Sequence, residues 1–180
     1  LWLTLQMTLL SLLAGVPIGL AVALLRQVRF APVRWLATAY VELLRGTPLL
    51  VQIIFVYYAL PSLLQINLPA YPAALLALSL NCGAYVAEIF RAGIQSIDVG
   101  QMEAARSLGM TYGQAMRWVV LPQAFRRVLP PLTNEGIALL KDSSLVQVIG
   151  LADLTRTGQE LSSGLGLPLV GLVRLVRRRP

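Results

Sequence analysis

The sequence contains no histidine and only one cysteine, Cys82, which lies inside an apolar run. A single cysteine cannot form an internal disulfide, and without histidine it lacks a common partner for binding zinc. The chain also has no Gly-rich phosphate loop ending in Lys-Ser or Lys-Thr and no Gly-x-Ser-x-Gly segment. These absences argue against an enzyme, and we expect no metal or cofactor in this chain.

Charged residues are scarce as well. They make up 13% of the chain, whereas about 25% is usual, and hydrophobic residues make up 57%, whereas about 45–50% is usual. The net charge of +7 could suggest nucleic acid, but the basic residues lie in short clusters between long uncharged runs. We therefore expect the lipid bilayer, and no nucleic acid, as a partner.

Two long runs have no charged residue, residues 1–25 and residues 46–87. About 20 apolar residues cross the bilayer as a helix, so the first run predicts one span. It lacks the basic lead-in and cleavage site of a secretory signal, and we expect that the native start is missing. The second run is too long for one helix, and Pro61, Pro69 and Pro72 break it. It predicts an outward helix, a turn and a returning helix.

Two further spans are expected nearer the C-terminus, a fourth at about residues 128–140 and a weak or truncated fifth at about residues 165–176. Pro168 and Arg174 interrupt the fifth, which reaches only about 18 Å at about 1.5 Å per residue. The predicted fold is an all-α membrane protein of about five transmembrane helices, with residues 1–180 forming a single transmembrane domain.

The distribution of arginine predicts the orientation, because Lys and Arg accumulate in loops that stay in the cytoplasm. Arginines crowd the connection after the first span, the connection after the third span and the C-terminal tail. The turn at residues 61–72 carries none, and residues 141–160 carry only Lys141 and Arg156. We expect a multi-pass protein of the bacterial inner membrane with its N-terminus outside and its C-terminus in the cytoplasm.

The segment at about residues 97–122 is cytoplasmic in this topology and reads as two short helices. Asp98 with Gln101, and Thr111 with Gln114, have the spacing of helix-starting capping boxes. Gly109 can end the first helix, and the second is expected to end near Leu121-Pro122. Helices this short need packing partners, so we expect a docking element here.

The same segment resembles the EAA loop of ABC importer permeases. Glu103-Ala104-Ala105 is followed at the family's spacing by Gly109, Val119 and Leu121-Pro122. Residues 40–49 (YVELLRGTPL), 84–91 (AYVAEIFR) and 140–145 (LKDSSL) resemble the polar amino-acid branch, of the histidine, arginine and glutamine type. The resemblance covers about residues 1–162 and stops before the expected last helix.

This resemblance implies a type I importer. Two permease subunits, alike or different, would line the path, an ABC ATPase would bind below, and a periplasmic or extracellular amino-acid-binding protein would deliver the solute. ATP and Mg would be bound by the ATPase. The implied coupling residues are Glu103, Ala104, Ala105, Gly109, Leu121 and Pro122.

A polar cluster near the fourth span is the candidate solute pathway, because charges at membrane depth are costly and usually face a cavity or each other. Its members are Asn134, Glu135, Lys141, Asp142, Ser143 and Ser144. We expect a helix discontinuity near Lys141 and Asp142, with an acid and Lys141 contacting a zwitterionic solute. The alternative is a structural ion pair at the membrane edge.

Two further pairs, Glu88 with Arg91 and Glu42 with Arg45, are spaced three apart and are interpreted as structural ion pairs on helix faces. Other functions remain open at this point: a permease for another small polar solute such as a quaternary amine, an ion-coupled secondary transporter using Glu88 and Asp142, or a purely structural membrane subunit.

Overall fold

The computed structural model describes residues 2–151, and within them every element is helical. The fifth predicted span and the C-terminal tail lie outside the described residues. The α-helices are α1 (Trp2–Leu25), α2 (Ala31–Gly46), α3 (Leu49–Ile54), α4 (Leu60–Leu64), α5 (Ala70–Gln95), α6 (Val99–Ser107), α7 (Tyr112–Ala115) and α8 (Leu121–Asp142). Two π-helical segments, Phe55–Ala59 and Met116–Val120, join α3 to α4 and α7 to α8, and a 3-10 helix, Ser143–Ile149, follows α8.

Helices α1 and α5 form the centre of the fold and run side by side in the same direction. Gly15 lies against Cys82, and Gly19 lies against Val86. A Cβ at Gly15 would lie 2.6 Å from Sγ of Cys82, so only glycine allows this approach. Gly15 and Gly19 form the G-x-x-x-G spacing with which membrane helices bring their backbones together.

Helix α2 packs against α5 in the opposite direction, with the Tyr40 hydroxyl donating to the Leu80 carbonyl oxygen at 2.6 Å. Residues 26–45, predicted only as the connection after the first span, thus contain a helix. The helix ends at Gly46, Pro48 precedes α3, and the chain bends by 109° between α2 and the α3–α4 unit. This break lies beside Asn81, near the middle of α5.

The two π-helical segments each end immediately before a Leu-Pro pair, Leu60-Pro61 and Leu121-Pro122. Leu60 and Leu121 donate their N–H groups to carbonyls five residues back, on Phe55 and Met116. Proline has no N–H and its ring clashes with the preceding turn, and the wider π turn accommodates both effects. The predicted helix end at Leu121-Pro122 is therefore wrong, because the helix continues into α8.

Helices α1 and α5 are each long and apolar enough to cross a membrane, and α2 with α3–α4 adds a third crossing if that bent pair is one span. The predicted returning helix is α5, whereas the predicted outward helix corresponds to α3–α4, which forms a crossing only together with α2. The turn begins at Gln65, which has a left-handed conformation, rather than at Pro61, which lies in the first turn of α4. Helix α8 begins before the predicted fourth span, and its charged residues make it too polar to be identified as a span by composition alone.

Candidate solute cavity and coupling surface

A cavity of about 440 Å³ lies where the α2–α3 break faces α5 and α8. Residues that can contact a polar ligand line it: Arg45, Thr47, Asn81, Tyr85, Glu135 and Asp142. One guanidinium and two carboxyl groups thus share a cavity whose wall includes an interrupted helix. Interrupted helices of this kind commonly form solute sites in transporters.

Gln52 and Asn81 hold the break in shape. The Gln52 side-chain amide donates to the carbonyl oxygens of Leu44, at 2.7 Å, and Thr47, at 3.1 Å, which lie at the end of α2. The Asn81 amide in turn donates to Oε1 of Gln52 at 3.0 Å. Because both amides are buried, these hydrogen bonds satisfy backbone groups that water does not reach.

Arg45 lies between the solute cavity and a second cavity of about 390 Å³ that Glu88 also lines. Its guanidinium is 5.3 Å from the centre of the Tyr85 ring, and its Nη1 is 3.8 Å from Oε1 of Glu88. Among the described residues no ion pair joins Arg45 to Glu42. The predicted Glu42–Arg45 pair is wrong, because Arg45 at the end of α2 is attracted across to Glu88 on α5.

Glu88 is the centre of an ion-pair network that connects three helices. Nη1 of Arg26, just after α1, and Nε of Arg91, on α5, each lie 2.9 Å from Oε2 of Glu88. The predicted Glu88–Arg91 pair is confirmed. The network also holds the end of α1 against α5, which the spacing of Glu88 and Arg91 alone did not reveal.

The predicted solute cluster is only partly assembled around the cavity. Glu135 and Asp142 line it, whereas Lys141 is exposed and, with Asn134, Ser143 and Ser144, does not. Ser143 is buried, and its hydroxyl donates to the Leu140 carbonyl oxygen at 2.8 Å. The expected discontinuity is present, since α8 gives way to the 3-10 helix directly after Asp142.

Four cavity residues were missed as solute contacts by sequence reasoning: Arg45, Thr47, Asn81 and Tyr85. The sequence contained an indication of two of them, because Thr47 belongs to a Gly-Thr-Pro helix break and Asn81 is a polar residue inside an apolar run. What the sequence did not provide was the register that brings α2, α5 and α8 together at this point.

The predicted docking segment forms the short helix α6 and the first turns of a longer helix, in which α7 continues through Met116–Val120 into α8. Ile97, Val120 and Ala124 form a small buried cluster beneath them. Glu103 and Ala104 are exposed, whereas Ala105 is buried. Gly109, between the two helices, has a φ of +88°, a left-handed conformation that glycine adopts without strain.

The helix caps in this segment agree only in part with prediction. The Thr111–Gln114 capping box is complete, and the Asp98 side chain accepts a hydrogen bond from the Gly100 N–H at 2.7 Å. Gln101 does not complete the first box. Its side-chain oxygen accepts from Gln123 of α8 at 3.2 Å, so tertiary contact with α8 replaces the local cap.

Long apolar helices around a polar cavity at an interrupted helix are typical of a membrane transport protein. The chain belongs to the family of binding-protein-dependent transport system inner membrane components, whose model matches residues 15–168. The name of this family is consistent with the predicted importer and not with an ion-coupled secondary transporter.

Two relatives illustrate the similarity. An arginine transport system permease protein of Bacillus subtilis is 46% identical over 153 residues, which cover 85% of this chain and 70% of the relative. A glutamine transport system permease protein of Escherichia coli is 41% identical over 162 residues, which cover 89% of this chain and 74% of the relative.

Two solved structures are also similar to this chain. A chain of an amino acid ABC transporter with histidines has a TM-score of 0.86 and 49% identity, covering 91% of this chain and 76% of its own length. A chain of an inward-facing methionine ABC transporter has a TM-score of 0.69 at 23% identity, covering 97% of this chain and 85% of its own length, and indicates the fold alone. The type I importer permease fold is thus confirmed.

Proposed function

We propose that this permease carries polar amino acids through the cavity at the α2–α3 break. The observation that carries the proposal is the presence of Arg45, Glu135 and Asp142 around one cavity. A zwitterion needs an anionic and a cationic contact, and this set supplies both. The names of the relatives, which include arginine, cystine and glutamine transport, support an amino acid as the solute.

In this proposal Glu135 and Asp142 contact the solute's ammonium group, and Arg45 contacts its carboxylate. Arg45 replaces Lys141 as the expected cationic contact, because Arg45 lines the cavity and Lys141 does not. Asn81 and Thr47 supply neutral hydrogen bonds. A quaternary amine has no carboxylate and would need the two acids but not Arg45. Dependence of transport on Arg45 therefore distinguishes an amino acid from a quaternary amine.

The test is ATP-driven uptake of labelled amino acids into vesicles that contain the permease, its ATPase and its binding protein. Asp142→Asn should reduce uptake at least tenfold, roughly the loss of one charge-assisted hydrogen bond. Asn134→Ala, on the same helix but away from the cavity, is the control and should transport normally. Unchanged uptake by Asp142→Asn would remove Asp142 from the pathway.

We also propose that the α6–α7 surface binds a separate ATPase, which holds ATP and Mg and hydrolyses the nucleotide. Exposed Glu103 and Ala104 support this role, because a charge beside a small side chain permits close and directional helix docking. Gly109 sets the bend between the helices. Leu121 and Pro122 join the surface to α8, through which motion would reach the solute cavity.

Copurification tests this coupling surface. Ala104→Trp should abolish capture of the ATPase, because the larger side chain prevents close approach, and deletion of residues 101–113 should do the same. Ser62→Trp, at an exposed position on α4, is the matched control and should capture the ATPase normally. Retained capture by both α6 variants would contradict the assignment.

The remaining elements of the proposal concern assembly and orientation. A second permease subunit completes the path, and a periplasmic or extracellular binding protein delivers the solute. The N-terminus lies outside the cell and α6–α7 lies in the cytoplasm. The alternation of α1, the α2–α4 unit, α5 and α8 supports this orientation, since it leaves the arginine-rich connections on one side.

A further inference from the structure

A separate cavity of about 670 Å³ opens between the end of α1, the start of α2 and the end of α5. Arg26, Arg34 and Arg91 line it together with Trp35 and Glu42. It shares no lining residue with the solute cavity. Three arginines, one just after α1, one on α2 and one on α5, therefore line one cavity that is separate from the solute cavity.

The charges of this cavity favour an anion. Arg26 and Arg91 are both engaged by Glu88, but Arg34 has no carboxylate within salt-bridge distance among the described residues. Glu42 is the one acid among the lining residues. The planar guanidinium of Arg34 is thus available for the bidentate contact that arginine makes with phosphate.

The surroundings of the cavity indicate that such an anion carries an apolar tail. Trp35 lines the cavity and is 76% exposed, and its neighbours Phe30 and Leu36 on the same helix start are 63% and 75% exposed. The cavity also lies where the apolar helix α1 ends, at the expected boundary between hydrocarbon and headgroups. The acyl chains of a bound lipid would cover these side chains, whereas a free phosphate would not.

We propose that this cavity binds the phosphate group of an anionic phospholipid. Basic pockets between membrane helices on the cytoplasmic side are suited to such headgroups. Arg34 contacts the phosphate, Arg26 and Arg91 add positive potential, and Trp35 lies against the upper acyl chain. The lipid would then bridge the end of α1, the start of α2 and the end of α5.

Fluorescence quenching tests the proposal on the full permease complex. The complex is placed in phosphatidylcholine vesicles that contain brominated phosphatidylglycerol or, for comparison, brominated phosphatidylcholine. The Trp35 signal is the tryptophan fluorescence intensity of the natural protein minus that of the Trp35→Phe variant. Brominated phosphatidylglycerol should quench this signal at a lower mole fraction than brominated phosphatidylcholine does. Equal quenching by both lipids would overturn the proposal.

Matched arginine variants show whether the site is specific. Arg34→Gln should weaken the preference for phosphatidylglycerol about tenfold, as expected for one lost charge-assisted hydrogen bond. Arg29→Gln, which removes a nearby charge outside the cavity lining, should not change it, and Arg34→Lys should restore part of the preference. Equal losses from Arg29→Gln and Arg34→Gln would indicate only diffuse attraction and would contradict a built site.

Competition with inorganic phosphate distinguishes the two sources of the anion. If the site binds a lipid, inorganic phosphate should reduce the quenching by brominated phosphatidylglycerol no more than chloride does at the same ionic strength. If phosphate abolishes the quenching and chloride does not, the site binds a soluble anion, and the lipid assignment is overturned.

Discussion

Gly19 of α1 lies directly against Val86 of α5, so close that a Cβ at position 19 would be 2.6 Å from Cβ of Val86. The same Cβ would be 2.8 Å from the carbonyl oxygen of Gly83. The two helices therefore touch backbone to backbone, and α5 in turn forms one wall of the solute cavity. The position of that wall depends on a residue without a side chain.

We expect Gly19→Leu to force α1 and α5 apart. Overpacking of a tight interface costs typically about 1–3 kcal/mol, so the thermal midpoint of the purified permease should fall. Gly113→Ala is the control, because nothing lies within 4 Å of a Cβ at that exposed helical position. An equal midpoint for both variants would show that the α1–α5 contact is not a stabilising interface.

Removal of the central acid of the ion-pair network should also destabilise the protein. Glu88→Gln leaves Arg26, Arg45 and Arg91 close together without their shared carboxylate, at an expected cost of about 1–3 kcal/mol. Glu42→Gln, which removes an acid on α2 that forms no ion pair among the described residues, should cost less than about 0.5 kcal/mol.

Detergent denaturation followed by helix content measures both variants under the same conditions. The Glu88→Gln curve should shift to lower denaturant, and the Glu42→Gln curve should overlie that of the natural protein. Superimposed curves for Glu88→Gln and Glu42→Gln would mean that the network contributes no net stability.

The left-handed turn at Gly109 should be sensitive to the shape of any side chain introduced at that position. Because nothing lies within 4 Å of a Cβ there, a substitution acts mainly through backbone strain at the φ of +88°. Gly109→Val should strain the turn by about 1–2 kcal/mol and reduce capture of the ATPase, whereas Gly109→Asn should retain most of it. Equal capture of the ATPase by the two variants would show that docking does not depend on the conformation of this turn.

The proposed orientation predicts opposite labelling of two engineered thiols in a Cys82→Ala background. Ser107→Cys, at the end of α6, should resist a membrane-impermeant thiol reagent in intact cells and react in inverted membrane vesicles. Asn67→Cys, in the exposed turn between α4 and α5, should show the reverse pattern. Labelling of Ser107→Cys from outside intact cells would invert the topology and withdraw the coupling proposal.

The helical class and the long spans were predictable because each depends on local composition. An uncharged run long enough to cross a bilayer produced α1, and prolines marked the turn before α5. The Thr111–Gln114 capping box was predictable for a similar reason, since its two hydrogen bonds connect residues three positions apart. The EAA-type spacing predicted a transport permease, and the chain belongs to such a family.

The errors arose where a distant residue replaced a local partner. Arg45 pairs with Glu88 rather than with Glu42, and Gln101 contacts Gln123 rather than its own helix start. Spacing along one helix identifies possible partners, but a side chain that faces another helix has further choices. The helix end expected at Leu121-Pro122 was also wrong, because a π turn can carry a helix through proline.

The sequence by itself determined that this chain is helical, that it lies in a membrane and that it belongs to a transport family, since apolar runs, capping residues and motif spacing are properties of neighbouring residues. Only the tertiary structure decided which charges share the solute cavity. Arg45, Asn81 and Asp142 are far apart in the chain, and they line one cavity because glycine-mediated packing and the α2–α3 break set the register of the helices that carry them.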